Sequence, residues 1–281
     1  MDTLIAILIS VVSSFLFLFL IFLFLIAPRK SKSEEMKKYT GIRYAHRGLH
    51  DEKRPENSLA AFAAAVDAGY GIELDVRLSA DGALVVFHDD TLDRMTAESG
   101  RVDKRSLAEL KEITLAESDE RIPEFAEVLR LVDGRVPLLV EIKEDAGSLA
   151  VTRKTAEMLS EYEGDYIIES FNPLAIAEIK RLLPDRIRGV LSQNFIEQEK
   201  YRAPLYFLLQ CLFLNVVARP DFIAFDHNGY KNFALKAARG ILGATTIAWT
   251  TRTEDEDAFA RAHGFDTVIF ENYTPNVYTE E

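Results

Sequence analysis

The 281-residue sequence has a single cysteine, Cys211, so no disulfide can form within it and a small disulfide-stapled fold is excluded. It also lacks basic excess. Its 33 lysines and arginines are set against 45 acids, a formal charge of −12, which argues against a nucleic-acid partner. No glycine-rich phosphate fingerprint follows the first strand-like run, and no short repeat recurs. What the chain does have is apolar residues, 48% of the total, enough to fill the core of one or two domains.

Residues 4–27, "LIAILISVVSSFLFLFLIFLFLIA", contain no charge and three serines. A helix of that length crosses a bilayer core of about 30 Å. A cleaved signal peptide would need a basic start, a shorter apolar run and a small-x-small cleavage site. Here Asp2 precedes a long run that ends in Pro28-Arg29-Lys30. The expectation is a transmembrane anchor over 1–28, a basic polar linker over 29–41 and a globular domain over 42–281. Arg29, Lys30, Lys32, Lys37 and Lys38 follow the span. The positive-inside rule therefore predicts a single-pass cell-membrane protein with its globular domain in the cytoplasm.

Beyond the linker, strand-like and helix-like segments alternate. Strands are expected at 42–46, 71–78, 84–88, 137–143, 166–170, 187–192, 222–226, 245–250 and 267–270. Helices are expected at 58–68, 105–112, 124–132, 149–161, 173–182, 231–239 and 254–263. Such alternation implies parallel strands with crossover helices. If 84–88 is the hairpin return of 71–78, eight βα units remain, which predicts an α/β fold, a TIM (β/α)8 barrel preceded by one N-terminal transmembrane helix. An open doubly wound sheet is the rival.

The stretch "IELDVRLSADGALVVFHDD" places Glu73 and Asp75 two apart on a strand, hence on one face. Asp81-Gly82 is a hairpin signal, and the return brings His88 back toward Glu73. Two acids and an imidazole on one spot call for a cation. Other polar residues recur where strands end: His46 and Arg47 in "RYAHRG", Glu141 and Lys143 in "VEIKED", Glu169 in "IIESFN". In a TIM barrel those ends carry the chemistry.

The ordered series "AHRG", "PENSLAAF", "ELDVRLSADGALVVFHDDTLDRMT", "RIPEFAEVL", "VEIK", "ESFNP" and "IAWTTR" resembles the signature of glycerophosphodiester phosphodiesterases, over roughly residues 43–275. The resemblance implies a TIM-barrel hydrolase with one divalent cation on Glu73, Asp75 and Glu141. It implies catalytic histidines at His46 and His88, and phosphate contacts from Arg47 and Lys143. Trp249 and Glu169 are weaker candidates for the substrate pocket. The residue chemistry is consistent: three carboxylates are hard ligands suited to Mg²⁺ or Ca²⁺. Two imidazoles can exchange protons near neutrality. Arg47 offers a bidentate fork and Lys143 a point charge.

Plainer readings stand beside these. Glu73 and Asp75 could form a solvated strand face, Arg47 a surface charge, and Lys143 a salt bridge to Glu141. Asn57 could be second to the site or, with Ser58, cap the helix at 58–68. Trp249 could be core, and His227 could reach substrate from a strand end. His50 and His263 read as ordinary surface residues. The sequence departs from the family pattern where "TVIFENYTP" carries Glu271-Asn272 instead of a Thr-Asp pair. "PENS" in place of a commoner "PENT" is a minor departure, and the third is the apolar insertion "APLYFLLQCLFLNVVA", residues 203–218. It is expected to be one helix, either packed on the barrel or lying in the membrane interface beside the anchor. The substrate is expected to be a glycerophosphodiester or, by a lysophospholipase D-like route, a membrane lysophospholipid. Attack by water and attack by the adjacent glycerol hydroxyl are both compatible with these residues. A binding or scaffold protein is the rival class, disfavoured by the intact set of polar residues.

Overall fold

In the computed structural model, residues 2–144, 147–197 and 203–277 are described. Two helices lead in, α1 (Asp2–Ile26) and α2 (Ser33–Thr40). Strand β1 (Tyr44–Ala45) and helix α3 (Leu59–Ala68) follow, then β2 (Gly71–Leu78) and its return β3 (Leu84–Val86). After helices α4 (Leu107–Leu110) and α5 (Phe125–Val132) the alternation is regular. It runs β4 (Leu138–Ile142), α6 (Ala150–Ser160), β5 (Tyr166–Ser170), α7 (Pro173–Leu182) and β6 (Arg188–Ser192). Short helices α8 (Pro204–Gln210) and α9 (Asn215–Ala218) precede β7 (Phe222–Asp226). Helix α10 (Phe233–Gly240), β8 (Thr245–Thr251), α11 (Glu254–Ala262) and β9 (Thr267–Phe270) complete the chain.

Eight parallel strands close on themselves. The order β2-β4-β5-β6-β7-β8-β9-β1 is sealed by β1 pairing with β2, and β3 hangs antiparallel on β2 outside the ring. This is the expected TIM barrel; the open sheet is ruled out by the β1–β2 pairing.

The alternation of each strand sorts its side chains. In β2, Ile72, Leu74 and Val76 face outward to the helices and join the main apolar shell, while Glu73 and Asp75 face the axis. The inside is itself layered. Tyr44, Leu139, Ile167, Phe222, Ile247 and Ile269 fill the end where the strands begin. One residue pair further along, carboxylates replace them. Gly189 makes room for Phe222 in the lower layer, since a Cβ there would lie 2.2 Å from the ring.

The stretch expected as a linker contains α2. Glu34 and Glu35 sit in its first turn and Lys37 and Lys38 in its last, the charge order a helix dipole favours. Its Met36 and Tyr39 are buried and plug the lower end of the barrel beside Tyr44. Sparse hydrophobicity hid it, because only two residues face inward. Residues 84–122 carry a small core of their own, including Val85, Phe87, Leu92, Val102, Leu110, Leu115 and Ile122.

Helix α1 is long and apolar enough to cross a membrane. Its last turn is bound to the barrel rather than tethered. Ile26 is fully buried, and its carbonyl accepts from Asn215 Nδ2 at 3.1 Å. The Phe22 ring packs on Phe213 and Phe233, with centroids 6.1 and 5.7 Å away. The Arg29 guanidinium grips both oxygens of Asp221, at 2.5 and 2.6 Å, and donates to the carbonyls of Pro184 and Arg186. Residues 203–218 form two short helices instead of one. The chain turns at Leu212, in the left-handed region with φ 58°, which buries Cys211, Leu212 and Asn215 and leaves Leu205, Phe207 and Leu208 outward.

Asp221 also accepts the Arg188 backbone N–H at 3.0 Å. Replacing it by alanine strands a half-buried guanidinium and an amide. Asp221→Ala is expected to cost about 2–4 kcal/mol, the range for breaking a buried pair on one side. Thermal unfolding should show it as a fall in Tm, and limited proteolysis as faster cleavage between residues 27 and 43. An unchanged Tm would mean that Arg29 contributes nothing to docking α1.

Candidate active site

The polar layer of the barrel opens at the C-terminal ends of the strands. Glu73, Asp75 and Glu141 each offer an oxygen within 4.8 Å of the others, and all three are buried. The β2–β4 register sets Asp75 directly opposite Glu141, and the β4–β5 register sets Glu141 opposite Glu169. Lys143 Nζ lies 3.0 Å from Asp75 Oδ1 and 2.6 Å from Glu141 Oε1. Arg47 Nε lies 3.4 Å from Asp75 Oδ2, and the Arg47 backbone N–H donates to Glu73 Oε2 at 2.9 Å. Asn57 Nδ2 donates to Asp75 Oδ2 at 2.9 Å. Asn57 therefore supports the acid cluster, while Ser58 caps α3 by accepting from the Ala61 amide.

Local sequence explains this convergence. Arg47 and Asn57 both adopt positive φ, and the Asn57 amide donates to the Arg47 carbonyl, so the "HRG" and "PEN" turns are locked together. Gly48 has φ +83°, and a Cβ there would lie 2.9 Å from Ala61 on α3, so only glycine fits this turn against the helix. The hairpin behaves as its Asp-Gly turn indicates. Val76 pairs with Val86, the Phe87 amide donates to the Asp75 carbonyl, and His88 emerges beside the acids.

Each histidine is backed by a carboxylate. His46 Nδ1 is 2.6 Å from Glu271 Oε2, with its Nε2 turned to within 4.0 Å of Glu73. His88 Nδ1 is 2.5 Å from Asp89 Oδ1, and Arg94 binds Asp89 Oδ2. Arg94 also bonds Glu56, which accepts from Arg47, so a charged chain links the two turns.

The electrostatics follow from burial. Glu73 is pushed well above the ordinary carboxyl range, first by desolvation and then by Asp75 and Glu141. Glu141 is raised by burial and by Asp75, against the pull of Lys143. Glu169 is raised strongly by burial and by Glu141. Asp75 behaves oppositely: burial acts against its charge, yet Lys143, His88 and Arg47 hold it well below the usual range. Burial lowers both imidazoles, His46 against Glu271 and His88 to about 4, so both are neutral near pH 7. Glu271 stays charged in spite of burial because His46 and His50, with Arg252, surround it.

Among the candidates, Glu73, Asp75, Glu141, Lys143, Arg47, His46 and His88 come together. Glu169 stands beside Glu141 on the neighbouring strand, buried, with Oε2 lacking a hydrogen-bond partner among the described residues. Trp249 packs its ring edge-on against Phe171, 5.5 Å away. His227 is buried in a 3₁₀ turn with Nδ1 3.4 Å from the Trp249 carbonyl, so it packs rather than reaching out. His263 Nδ1 pairs with the Phe259 carbonyl. His50 is not an ordinary surface residue: its Nε2 stands 3.6 Å from Glu271. The structural partners of the histidines, Glu271 and Asp89, had only weak signals: a departure from the family pattern, and adjacency to His88.

A cation would find suitable donors here. Asp75 Oδ1 and Glu141 Oε1 are buried oxygens that meet Lys143 Nζ, Glu73 offers a third oxygen within 4.8 Å of theirs, and all three acids are hard ligands. The neighbouring cleft, of about 630 Å³, runs from Glu141 and Lys143 past Phe171 and Phe195 to Leu205, Leu209 and Val217. A depression of about 520 Å³ near α4 contains none of the clustered groups.

The sequence profile described as the Glycerophosphoryl diester phosphodiesterase family matches residues 46–274. A glycerophosphodiester phosphodiesterase of Caldanaerobacter subterraneus is 40% identical over 162 residues, covering 53% of this chain and 65% of the relative, just under two thirds of its length. One from Bacillus altitudinis is 34% identical, covering 55% and 68%. A phosphodiesterase of Oleispira antarctica, solved with its product sn-glycerol 3-phosphate, superimposes with a TM-score of 0.69 at 25% identity, covering 84% of this chain and 94% of that one. A glycerophosphodiester phosphodiesterase of Thermotoga maritima gives 0.63 at 26%, covering 82% and 94%.

A carboxylate whose folded pKa is raised favours the fold below its ordinary pKa and loses that contribution as pH rises through the raised value. Without a cation, Glu73→Gln should therefore match the unaltered protein's Tm near pH 4 and exceed it progressively at higher pH. Added Mg²⁺ or Ca²⁺ should raise the Tm of the unaltered protein far more than that of the variant. Equal cation-induced shifts would remove Glu73 from the ligand set.

Proposed function

The chain belongs to the glycerophosphoryl diester phosphodiesterase family, and on that premise we propose that it hydrolyses glycerophosphodiesters to sn-glycerol 3-phosphate and an alcohol. The observation that carries the reading is the meeting of two carboxylate-backed imidazoles, three clustered acids and two cationic side chains at one barrel mouth. The product complex of the Oleispira antarctica phosphodiesterase supports the glycerol phosphate side of the substrate as the part retained.

Glu73, Asp75 and Glu141 would hold a divalent cation, which would supply Lewis acidity to a phosphoryl oxygen. Arg47 Nε, buried at 3.4 Å from Asp75 Oδ2 with no closer partner among the described residues, can take a phosphate oxygen. Lys143 adds positive charge from the end of the neighbouring strand β4. His46 is the base. Its Nδ1–H is directed at Glu271, which leaves Nε2 bare and facing the acid cluster. His88 is the acid: the arriving anionic phosphodiester favours its imidazolium, and Asp89 holds the ring by Nδ1. It delivers its proton to the departing alkoxide. A second reading changes only the substrate, to a membrane lysophospholipid cleaved as by a lysophospholipase D; the apolar half of the cleft favours it.

His46→Ala and His88→Ala are each expected to lower kcat on glycerophosphocholine by about 10²–10⁴-fold, the range for general acid–base groups. Cation binding, followed by calorimetry, should survive in both. Loss of cation binding in either would make that histidine a ligand instead.

We further propose that α1 spans the membrane once, with the barrel in the cytoplasm, from the basic residues that follow it. A phosphatase reporter fused after residue 281 should be silent and a fluorescent one bright. An active phosphatase would reverse the orientation.

A further inference from the structure

The way α1 is docked fixes which end of the barrel meets the bilayer. Arg29 is held by Pro184, Arg186, Pro220 and Asp221, all of which precede strands β6 and β7 and so mark the lower end. Seven residues earlier, Phe22 stacks on Phe233, the first residue of α10, at the catalytic end. The helix thus climbs the side of the barrel, rising about 1.5 Å per residue. Residues 4–20 are exposed beyond it and, at about 25 Å, nearly match a bilayer core.

A second, independent observation agrees. Nine large apolar side chains outside α1 are exposed among the described residues. Six of them, Leu174, Ile196, Leu205, Phe207, Leu208 and Phe233, lie on the first turn of α7, on the stretch from β6 through α8, and at the start of α10. They are 36–58% exposed and flank the sector against which α1 packs. The Phe207 ring reaches Phe213, which touches Phe22, so the patch is continuous with the spanning helix. An exposed apolar patch of this kind marks an interaction surface. The cleft from Lys143 opens among these same segments through Leu205, Leu209 and Val217.

We propose that the β5–β7 sector of the catalytic face is seated on the bilayer that α1 enters, and that the apolar half of the cleft takes the single acyl chain of a lysophospholipid. This rests on the phosphodiesterase reading of the site and names its substrate class. A lysolipid leaves the leaflet sideways, its phosphate meets Arg47 and Lys143, and its chain lies along Phe171, Phe195 and Leu209. Hydrolysis breaks the bond between phosphorus and the headgroup oxygen. Water contributes the new P–O bond and one of its protons passes to the released alcohol, leaving lysophosphatidate.

The full chain in phosphatidylcholine vesicles tests both parts. A fluorophore on Leu208→Cys should be quenched by lipids brominated in the acyl chain, and one on Asp185→Cys, at the lower end, should not. Absent quenching at position 208, or equal quenching at both, overturns the seating. Separately, hydrolysis of lysophosphatidylcholine is compared with that of soluble glycerophosphocholine. In the double variant Ile196→Glu, Leu208→Glu the ratio of lysolipid to soluble turnover should fall about tenfold, equivalent to about 1.4 kcal/mol. Turnover of glycerophosphocholine with none of the lysolipid, or an unchanged ratio, overturns the lipid substrate. Turnover of neither instead refutes the phosphodiesterase reading, while the quenching pattern still decides the seating.

Discussion

Like charges gathered inside a barrel govern everything around them. Glu73, Asp75, Glu141 and Glu169 lie on adjacent strands, and no apolar packing can make that arrangement cheap. The surroundings are arranged to make it tolerable. Lys143 is buried between Asp75 and Glu141, and burial, which would neutralise it, is overcome by those two carboxylates. Arg47 lends a backbone amide to Glu73 and a guanidinium to Asp75, which requires its left-handed backbone and therefore the glycine that follows. The result is an unequal cluster: Asp75 charged, Glu73 and Glu169 held toward the neutral form until something more strongly positive arrives.

That cluster is affordable because the lower half of the barrel is dry. Tyr44, Leu139, Ile167, Phe222 and Ile247 close the floor, and α2 covers them from below. The acids are thus exposed to solvent from one side only. Two strand positions separate a hydrocarbon layer from an ionic one, and the period-two alternation of the strands is what makes so abrupt a change possible.

Much of this was written plainly in the chain. The strands at 71–78, 166–170, 222–226 and 267–270 have the bounds their alternation indicates, because their outward faces are continuous Val, Ile, Leu and Phe. The pairs Glu73/Asp75 and Glu141/Lys143 needed only the same rule. Features set by tertiary contact were not legible. Two inward side chains are too few to give α2 a periodic signal, and its burial depends on a floor assembled from six distant strands. The break at Leu212 arises because the barrel can cover Cys211, Leu212 and Asn215 but not a straight sixteen-residue helix. Glu271 reads as a deviation in the sequence, and only β9 lying beside β1 brings it to His46.

The hairpin β3 stands outside the closed ring, and the segment it begins is packed around its own small core from Val85 to Ile122. A segment with a separate core is a separate cooperative unit, able to open at less cost than the barrel that carries it. His88 and Asp89 lie in that unit, whereas Glu73, Asp75, Glu141 and His46 lie on the ring. His88 and the acid cluster therefore belong to different levels of local stability. Transient opening of that unit would carry His88 away from Asp75 while leaving the acid cluster on the ring intact.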